Sequence, residues 1–301
     1  MEHVVCDLCH ADTPQPFLSR PDRFSGETFA LSRCGNCGLV YLTPRPSQAE
    51  LGRYYPDGYE AYRQAESPLP GLAQQDAGRA LNLQLDWVEK HAPRRGRLLD
   101  VGCATGAFLN LAQARGWQVQ GIELIEPAAQ IARQRYGLDV ITGDVEQASL
   151  PAGSFDAITL WDVLEHLPSP RRALSRCYDL LKPAGFIIFS IPNLASFDRY
   201  LFGKAWIGWD PPRHFNLFTQ ETMPRLLIET GFKPVERACL LGGKGTFLLS
   251  LDLLLGDGRL GRLARALSPA LSAALWPYRQ VAYALQRGPI ITYVAQKPGD
   301  V

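Results

Sequence analysis

The amino-acid sequence predicts a doubly wound α/β domain that is preceded by a small metal-binding module. Three observations lead to this fold class. A short apolar strand ends at Val101 and runs through a small-residue turn, Gly102 to Gly106, into an amphipathic stretch. Further apolar strands alternate with helical patterns as far as residue 191, which is typical of a parallel sheet. Two Cys-x-x-C pairs lie within the first 37 residues.

The size and charge of the chain narrow the class of protein. Its 301 residues can hold one sizeable domain with small additions, and the apolar fraction of 46% is typical of a globular protein. With a formal net charge of +1, the protein has no strong overall electrostatic attraction to nucleic acid. The first residues lack the basic-then-apolar pattern of an export signal, and no run approaches the roughly 18 apolar residues of a membrane-spanning helix. We therefore expect a soluble, cytoplasmic protein.

Four cysteines near the start of the chain form two tight pairs: Cys6, Cys9, Cys34 and Cys37. Two C-x-x-C turns can direct four thiolates at one tetrahedral zinc ion. Disulfides would suit a secreted chain, and a redox C-x-x-C normally occurs once, before a helix of a thioredoxin-like unit. The spacing therefore predicts a zinc-binding knuckle over residues 1–46. Its Zn²⁺ is expected to be structural, because four thiolates leave no open coordination position.

The predicted parallel sheet carries acidic residues at the ends of three successive strands. The strands are expected at 98–101, 119–123, 140–142, 155–161 and 186–191, with helices at 107–115 and 127–136. Asp100, Glu123 and Asp144 lie at the ends of the first three. Because doubly wound sheets bind ligands at the carboxyl ends of their strands, we predict the site at this edge of a domain covering residues 92–301.

The turn after the first strand narrows the choice of ligand. It reads G-x-x-x-G, with Cys103 and Ala104 where a dinucleotide fingerprint would need its second glycine. The Lys-Ser/Thr pair of a P-loop is absent from it. Glu123 follows Asp100 by 23 residues, about where a ribose-binding carboxylate belongs.

Five segments in order resemble the motifs of class I S-adenosylmethionine-dependent methyltransferases. They are LLDVGCATG (98–106), GIE (121–123), GDV (143–145), FDAITLWDVLEHL (155–167) and LKPAG (181–185). The resemblance runs from about residue 97 to residue 239, although the family usually has glycine where Ala104 stands. It implies a Rossmann-like sheet of seven strands and S-adenosyl-L-methionine as the cofactor.

The resemblance also implies individual roles in cofactor binding. Glycines in the turn let the backbone approach the methionine part of the cofactor. Asp100 would orient the turn and the cofactor's amino end, and Glu123 would accept hydrogen bonds from both ribose hydroxyls. Asp144 would accept from the adenine amine, and Trp161 would pack on the adenine ring. The implied cofactor residues are Asp100, Gly102, Cys103, Ala104, Gly106, Glu123, Asp144, Val145, Trp161 and Asp162.

The acceptor side is expected from two other parts of the chain. Residues 47–91 read as a linker with lid helices, in which Tyr55 and Tyr59 are candidate substrate contacts. These tyrosines could equally fasten the small module to the large domain. After the fifth strand, a long aromatic segment supplies Asn193, Trp209 and Arg213 as further candidates.

The run from His214 to Thr219 resembles the H-x-x-x-F-[ST] segment of ubiquinone-type O-methyltransferases and of zinc-knuckle sugar C-methyltransferases. In the sugar enzymes a Glu-His pair at this point acts in proton abstraction. Here His214 is kept and Arg213 replaces the acid. His214 is our preferred general base, and Arg213 is an alternative anion clamp. His166 is a second candidate base, unless it only braces its turn.

The last part of the sequence predicts a helix at 221–230 and an antiparallel hairpin of strands at 234–241 and 290–296. Between those strands lies a helical insertion, residues 242–289, with six basic residues against two acidic ones. It could pack in the ordinary way, cap the pocket, contact a second copy, or lie on the inner face of a membrane. Ordinary packing is the favoured interpretation.

Together these features predict a methyltransferase acting on a small-molecule, sugar or glycan/lipid-linked acceptor, with O-, N- and C-methylation left open. One alternative is an RNA methyltransferase that uses the knuckle to contact RNA. Residues 1–37 argue against nucleic acid, because they carry three arginines against five acids. The other alternative is a non-catalytic module that binds S-adenosylmethionine.

Overall fold

The computed structural model describes residues 1–55, 72–256 and 258–299 of the chain. The strands are β1 Pro14–Pro21, β2 Thr28–Cys34, β3 Val40–Leu42, β4 Arg97–Val101, β5 Gln118–Glu123, β6 Val140–Thr142, β7 Phe155–Trp161, β8 Leu181–Pro192, β9 Asn216–Leu217, β10 Lys233–Ala238 and β11 Ile290–Gln296. The helices are α1 Gln48–Leu51, α2 Leu72–His91, α3 Ala107–Ala114, α4 Glu126–Tyr136, α5 Pro170–Leu180, α6 Phe197–Phe202, α7 Thr222–Glu229, α8 Gly243–Leu255, α9 Arg259–Ala266, α10 Ser268–Ala274 and α11 Trp276–Ala284.

Seven strands form one sheet in the order β10-β11-β8-β7-β4-β5-β6. Strands β4 to β8 run parallel, and β11 lies antiparallel between β8 and β10. The strand order reverses between β4 and β7, so the loops after these two strands diverge and leave a crevice for a ligand. The predicted Rossmann-like sheet of seven strands is confirmed, as is its closing antiparallel hairpin.

Apolar layers cover both faces of this sheet. On one face, Leu174 of α5 and Leu226 of α7 pack in a cluster with Phe189 of β8. On the other face, Leu109 of α3 and Ala129 of α4 belong to a second cluster. Because its central strands are buried on both sides, their sequences are nearly continuous apolar runs, which is why they were recognisable.

Two strand boundaries differ from the sequence-based expectation by more than one residue. Strand β8 begins at Leu181 and not at residue 186, because Leu181 already pairs with Phe155 of β7, ahead of a register shift. Strand β10 ends at Ala238, three residues early. Helix α2, Leu72–His91, lies within the range 47–91 that was expected to hold a linker with lid helices.

A second, four-stranded sheet joins the N-terminal module to the large domain. Its order is β1-β2-β3-β9. Val40 and Tyr41 of β3 pair antiparallel with Leu217 and Asn216 of β9. Since β9 follows His214 within three residues, the predicted knuckle of residues 1–46 shares a sheet with the loop that carries the candidate base.

The insertion between β10 and β11 is helical, as predicted, and consists of α8 to α11. It packs against α6 through Phe202 and Phe247, whose ring centroids are 4.9 Å apart. The Tyr278 hydroxyl donates a hydrogen bond of 2.6 Å to Asp198 of α6. Within the described ranges, no helix is long and apolar enough to cross a membrane.

Candidate active site

A cavity of about 800 Å³ opens at the carboxyl ends of β4, β5 and β7. The loops after these strands form one side, and residues 206–208, His214 and Thr246 of α8 form the other. The volume lies in the range of small-molecule and cofactor sites. The predicted cofactor residues that line it are Gly102, Ala104, Glu123, Asp144, Val145, Trp161 and Asp162.

The turn after β4 is built for close approach of its backbone. Gly102 has φ +75°, and a Cβ there would lie 2.4 Å from Cγ2 of Val163, so no side chain fits. Ala104 also takes a positive φ of 47°, in the left-handed region that glycine usually fills. Cys103 and Gly106 are not cavity residues: Cys103 is buried beneath the turn, and Gly106 caps the start of α3.

Glu123 at the end of β5 holds the turn in place. Its two carboxylate oxygens accept hydrogen bonds of 2.9 Å from the backbone N–H of Ala104 and of Ile125. Burial raises the pKa of Glu123, and these backbone hydrogen bonds oppose the rise. A carboxylate has about four acceptor positions, so two remain for hydroxyl donors in the cavity.

Asp100 lies directly beneath the same turn and does not line the cavity. Its Oδ1 accepts a hydrogen bond of 2.7 Å from the hydroxyl of Thr159 on β7. Burial, with a further contribution from the charge of Glu123, raises the pKa of Asp100 to about 7, while the Thr159 hydrogen bond opposes that rise. Asp100 thus supports the turn from below.

The loops after β6 and β7 supply the remaining predicted cofactor residues. Asp144 and Val145 lie at the cavity wall, where Asp144 accepts a hydrogen bond of 2.9 Å from the N–H of Glu146. The indole of Trp161 lines the cavity and makes an edge contact with Phe108, with centroids 5.6 Å apart. Asp162, with φ 56°, accepts a hydrogen bond of 2.7 Å from the Ser190 hydroxyl.

The two candidate bases, His166 and His214, meet in this cavity with ring centroids 4.6 Å apart. Nδ1 of His166 lies 3.0 Å from the carbonyl oxygen of Arg213, and Nδ1 of His214 lies 2.9 Å from that of Gly208. A carbonyl only accepts, so each Nδ1 carries the proton and each neutral ring presents a bare Nε2.

Both histidines are held neutral by their surroundings. Burial lowers the pKa of His214, while the charge of Asp210 opposes the decrease. Burial, together with the neighbouring His214, lowers the pKa of His166 to about 3. The backbone hydrogen bond of His166 agrees with a bracing role for that ring.

Glu165 is a cavity residue that the sequence did not single out, although it stands next to His166 in the fourth motif. One ligand atom each of Glu165, His166 and His214 lie within 4.8 Å of one another. The Glu165 side chain is buried, and its Oε2 has no hydrogen-bond partner within the described part of the chain. Burial raises its pKa well above the ordinary value. A buried acid in a motif otherwise rich in apolar residues is the signal that could have identified it.

Arg213 is not placed to contact a substrate, so both its substrate assignment and the anion-clamp alternative are corrected. Its side chain is fully buried and pairs with Asp22 and Asp210 at 2.6 Å and 2.7 Å. It also donates to the carbonyl of Tyr54. The N–H donors of the guanidinium are already used by these carboxylates and this carbonyl, so no pair of donors remains to bind an anion in a bidentate way.

Two other predicted substrate contacts are also packing residues. The amide of Asn193 donates to the carbonyls of Gln286 and Gly288, away from the cavity. The indole of Trp209 packs against Trp206, with centroids 5.1 Å apart, and donates to a backbone carbonyl. Tyr55 does line the cavity, and Tyr59 lies outside the described residues.

A family model described as a methyltransferase domain matches residues 73–237, which is more than half of the 301-residue chain. The chain belongs to this methyltransferase family. The match spans β4 to β8. It therefore includes the glycine turn, the three acids at the strand ends and both histidines.

Known relatives agree with this assignment. The chain is 36% identical over 127 residues to a ubiquinone biosynthesis O-methyltransferase of Azoarcus sp. (strain BH72), covering 40% of this chain and 54% of the relative. It is 29% identical over 167 residues to that of Burkholderia pseudomallei (strain 1710b), covering 51% and 72%. The chain thus spans about half the length of the Azoarcus relative.

Solved structures share the fold. The 1,6-didemethyltoxoflavin-N1-methyltransferase of Burkholderia thailandensis has a TM-score of 0.54 at 17% identity, covering 93% of this chain and 99% of that one. Phosphoethanolamine N-methyltransferase 2 of Haemonchus contortus has a TM-score of 0.57 at 19% identity, covering 86% and 62%. At such identities these likenesses support the architecture alone.

Outside the cavity, the four predicted zinc ligands of this methyltransferase converge. The sulfurs of Cys6 and Cys37 are 3.4 Å apart, and those of Cys9 and Cys34 are 3.5 Å apart. Disulfide sulfurs lie about 2.05 Å apart, so these are free thiols at a separation near that of a tetrahedral site. Although burial alone would raise the pKa of Cys34, hydrogen bonds from the N–H of Cys37 and of Asn36 lower it to about 6.

Proposed function

We propose that this protein is an S-adenosylmethionine-dependent methyltransferase acting on a small-molecule, sugar or glycan/lipid-linked acceptor. The observation that carries the proposal is the single cavity that joins Glu123, Asp144 and the glycine turn on one side to His214 on the other. One side has the groups to hold a nucleoside and the other has a group to receive a proton. Family membership and the ubiquinone-type relatives support the same reaction class.

The cofactor assignment rests on unused hydrogen-bonding capacity around the turn. Glu123 has two acceptor positions beyond its backbone hydrogen bonds, a number that matches the two hydroxyls of a ribose. Asp144 and Trp161 stand at the wall where a purine amine and ring would lie. When bound, S-adenosylmethionine supplies a methyl group on a sulfonium, a strong leaving group.

The residues of this chain must then orient the acceptor and receive its proton. His214 is suited to that step, because its Nε2 is an unprotonated acceptor and the ring is fixed by the Gly208 carbonyl. The zinc-knuckle sugar enzymes pair their histidine with an adjacent acid. Here Arg213 stands next to His214 in the sequence and is held in its ion pair with Asp22. Within the cavity, the acid that lies close to His214 is Glu165.

The test of this function is direct. Calorimetry with S-adenosylmethionine and S-adenosylhomocysteine measures cofactor binding, and panels of phenols, nucleotide-sugars and glycolipids with labelled cofactor measure methyl transfer. Binding without transfer to any acceptor class would favour the alternative of a non-catalytic module. Transfer to RNA alone would favour the RNA methyltransferase.

We also propose that Cys6, Cys9, Cys34 and Cys37 hold one structural Zn²⁺. Four thiols at near-tetrahedral separations fit the coordination that zinc prefers. Each pair is followed by a residue in the left-handed conformation, His10 at φ 58° and Gly38 at φ 80°, so the two turns share one geometry. Such a site would stabilise the small sheet that carries β9.

A further inference from the structure

The helical insertion has an apolar face that nothing in the described chain covers. Sixteen large apolar side chains are exposed in the described residues, and seven of them lie in this insertion. They are Leu254, Leu260, Leu263, Leu267, Trp276, Val281 and Leu285, each 48–67% exposed. If the sixteen exposed side chains were spread evenly along the chain, an insertion of this size would carry about two or three of them. The clustering therefore needs an explanation.

The pattern is clearest on α9, whose sequence is RLGRLARA. Leu260 and Leu263, with Leu267 just after the helix, are spaced i, i+3 and i+7 and share one face. Arg262 and Arg265 fall on the other side of the helix, and Arg259 lies at the border between the two sides. In a helix packed on a core the leucine face would be buried, but here Leu260 is 67% exposed.

Other elements of the insertion, and helix α6 that packs against it, also expose large apolar side chains. Helix α6, which packs against α8 and α11, exposes Tyr200 and Leu201. Trp276 begins α11 and is 61% exposed. Tryptophan and tyrosine have an apolar body and a polar tip, and they favour the boundary between hydrocarbon and water.

Charge decides between the possible occupants of this surface. The insertion carries six basic residues against two acidic ones. Two copies meeting there would bring like charges together, whereas an anionic lipid surface would bring opposite charges together. Leucines and arginines on different sides of one helix are the signature of a helix lying in a membrane interface.

We infer that the insertion docks this protein on an anionic lipid bilayer through the exposed leucine face of α9. The leucines of α9 would enter the headgroup region, while Arg259 at the border of that face would contact lipid phosphates. Helix α8 of the same insertion also lines the cavity with Thr246, so docking would bring the cavity wall close to the bilayer. The inference requires neither a particular cofactor nor a particular acceptor.

Vesicle co-sedimentation of the full chain tests it. The protein should bind vesicles of phosphatidylcholine mixed with phosphatidylglycerol, and bind phosphatidylcholine alone roughly tenfold or more weakly. High salt should weaken binding, because screening shortens the reach of the arginine charges. Equal, salt-independent binding to both vesicle types, or no binding to the anionic ones, would overturn the inference.

Matched variants locate the surface. Leu260→Asp combined with Leu263→Asp should reduce vesicle binding roughly tenfold or more, whereas Ile228→Asp, an equally exposed residue on α7, should not. Arg259→Glu should weaken binding, and Arg94→Glu, exposed before β4, should not. Each variant should keep the wild-type circular dichroism and thermal midpoint.

Two further measurements distinguish lipid docking from self-association and from cofactor binding. Sedimentation velocity detects self-association, and a dimer in the wild type that Leu260→Asp abolishes would assign the face to a second copy and overturn the lipid assignment. Calorimetry with S-adenosylmethionine in the absence of vesicles should give the same affinity for every surface variant. If the wild type bound vesicles but no cofactor, the proposed function would fail while docking stood.

Discussion

Arg213 and Asp22 form an ion pair of 2.6 Å in which both side chains are completely buried. Asp22 follows β1 in the N-terminal module, and Arg213 precedes the candidate base in the large domain. Asp210 holds a second edge of the same guanidinium at 2.7 Å. The pair therefore ties the N-terminal module to the loop that carries His214.

Replacing Arg213 with methionine should destabilise the protein by about 3–5 kcal/mol, because two buried carboxylates lose their partner. Urea unfolding, followed by tryptophan fluorescence, measures the loss. Arg225→Met is the control: that arginine pairs with Glu229 at 2.7 Å on the surface, and its removal should cost about 1 kcal/mol or less. Equal losses for the two variants would show that burial of the Arg213 pair adds nothing.

Glu123→Ala should weaken S-adenosylmethionine binding by at least about 1.5–3 kcal/mol, the range for hydrogen bonds to a charged group. The ribose acceptors are lost, and so are the hydrogen bonds that hold the turn at Ala104. Isothermal titration calorimetry measures the change. Glu126→Ala, an exposed acid three residues later, should leave the affinity intact. An unchanged affinity in Glu123→Ala would remove the ribose assignment.

Purified protein should carry about one zinc per chain, and Cys34→Ser should lose it. Elemental analysis after dialysis measures the metal content. Cys177→Ser is the control, because that thiol is buried on α5 and far in sequence from the knuckle. Zinc retained in Cys34→Ser at the wild-type level would contradict the four-thiolate site. Loss of the metal should also lower the thermal midpoint, since β9 pairs with the knuckle's sheet.

The fold was predictable because its signals are local. Apolar runs bounded by glycine turns identified β4 to β7 within one residue, and the acids at the strand ends identified the edge of the sheet where the cavity lies. The spacing of the cysteines likewise depends only on a short turn. These features need no knowledge of which distant segments meet.

The acceptor side was less predictable because it depends on long-range contacts. Nothing near Arg213 in sequence indicates that Asp22, 191 residues earlier, takes its charge. The fate of Asn193 depends in the same way on carbonyls after α11. The aromatic and polar residues of the loop suggested a substrate pocket. In the structure, Asn193, Trp209 and Arg213 instead make contacts within the protein.

Asp100→Asn should change how stability depends on pH. Burial raises the pKa of Asp100 from its ordinary value of 3.8 to about 7 in the folded chain, so the unfolded state releases this proton first. The wild type therefore loses stability as pH rises from about 4 to about 7. Asparagine does not titrate, so it removes that loss. The thermal midpoint of Asp100→Asn minus that of the wild type should therefore be larger at pH 8 than at pH 5. Thermal scans of the cofactor-free protein measure the difference, and a pH-independent offset between the two proteins would contradict it.

His214→Ala should lower turnover by the roughly 10²–10⁴-fold of a lost general base while leaving cofactor affinity unchanged. The reason is geometric: the Gly208 carbonyl holds the proton on Nδ1, so Nε2 is the unprotonated nitrogen of a ring that lines the cavity. His166→Ala should cost less turnover, because the hydrogen bond of His166 to the Arg213 carbonyl fits a ring that braces its turn. Turnover with the acceptor found in the panel screen, and calorimetry with S-adenosylmethionine, measure the two effects.

Because Glu165, His166 and His214 cluster, each variant is also assayed after dialysis against a chelator. Wild-type turnover in His214→Ala would remove this histidine as the base, and activity that a chelator abolishes and a divalent cation restores would make it a ligand instead.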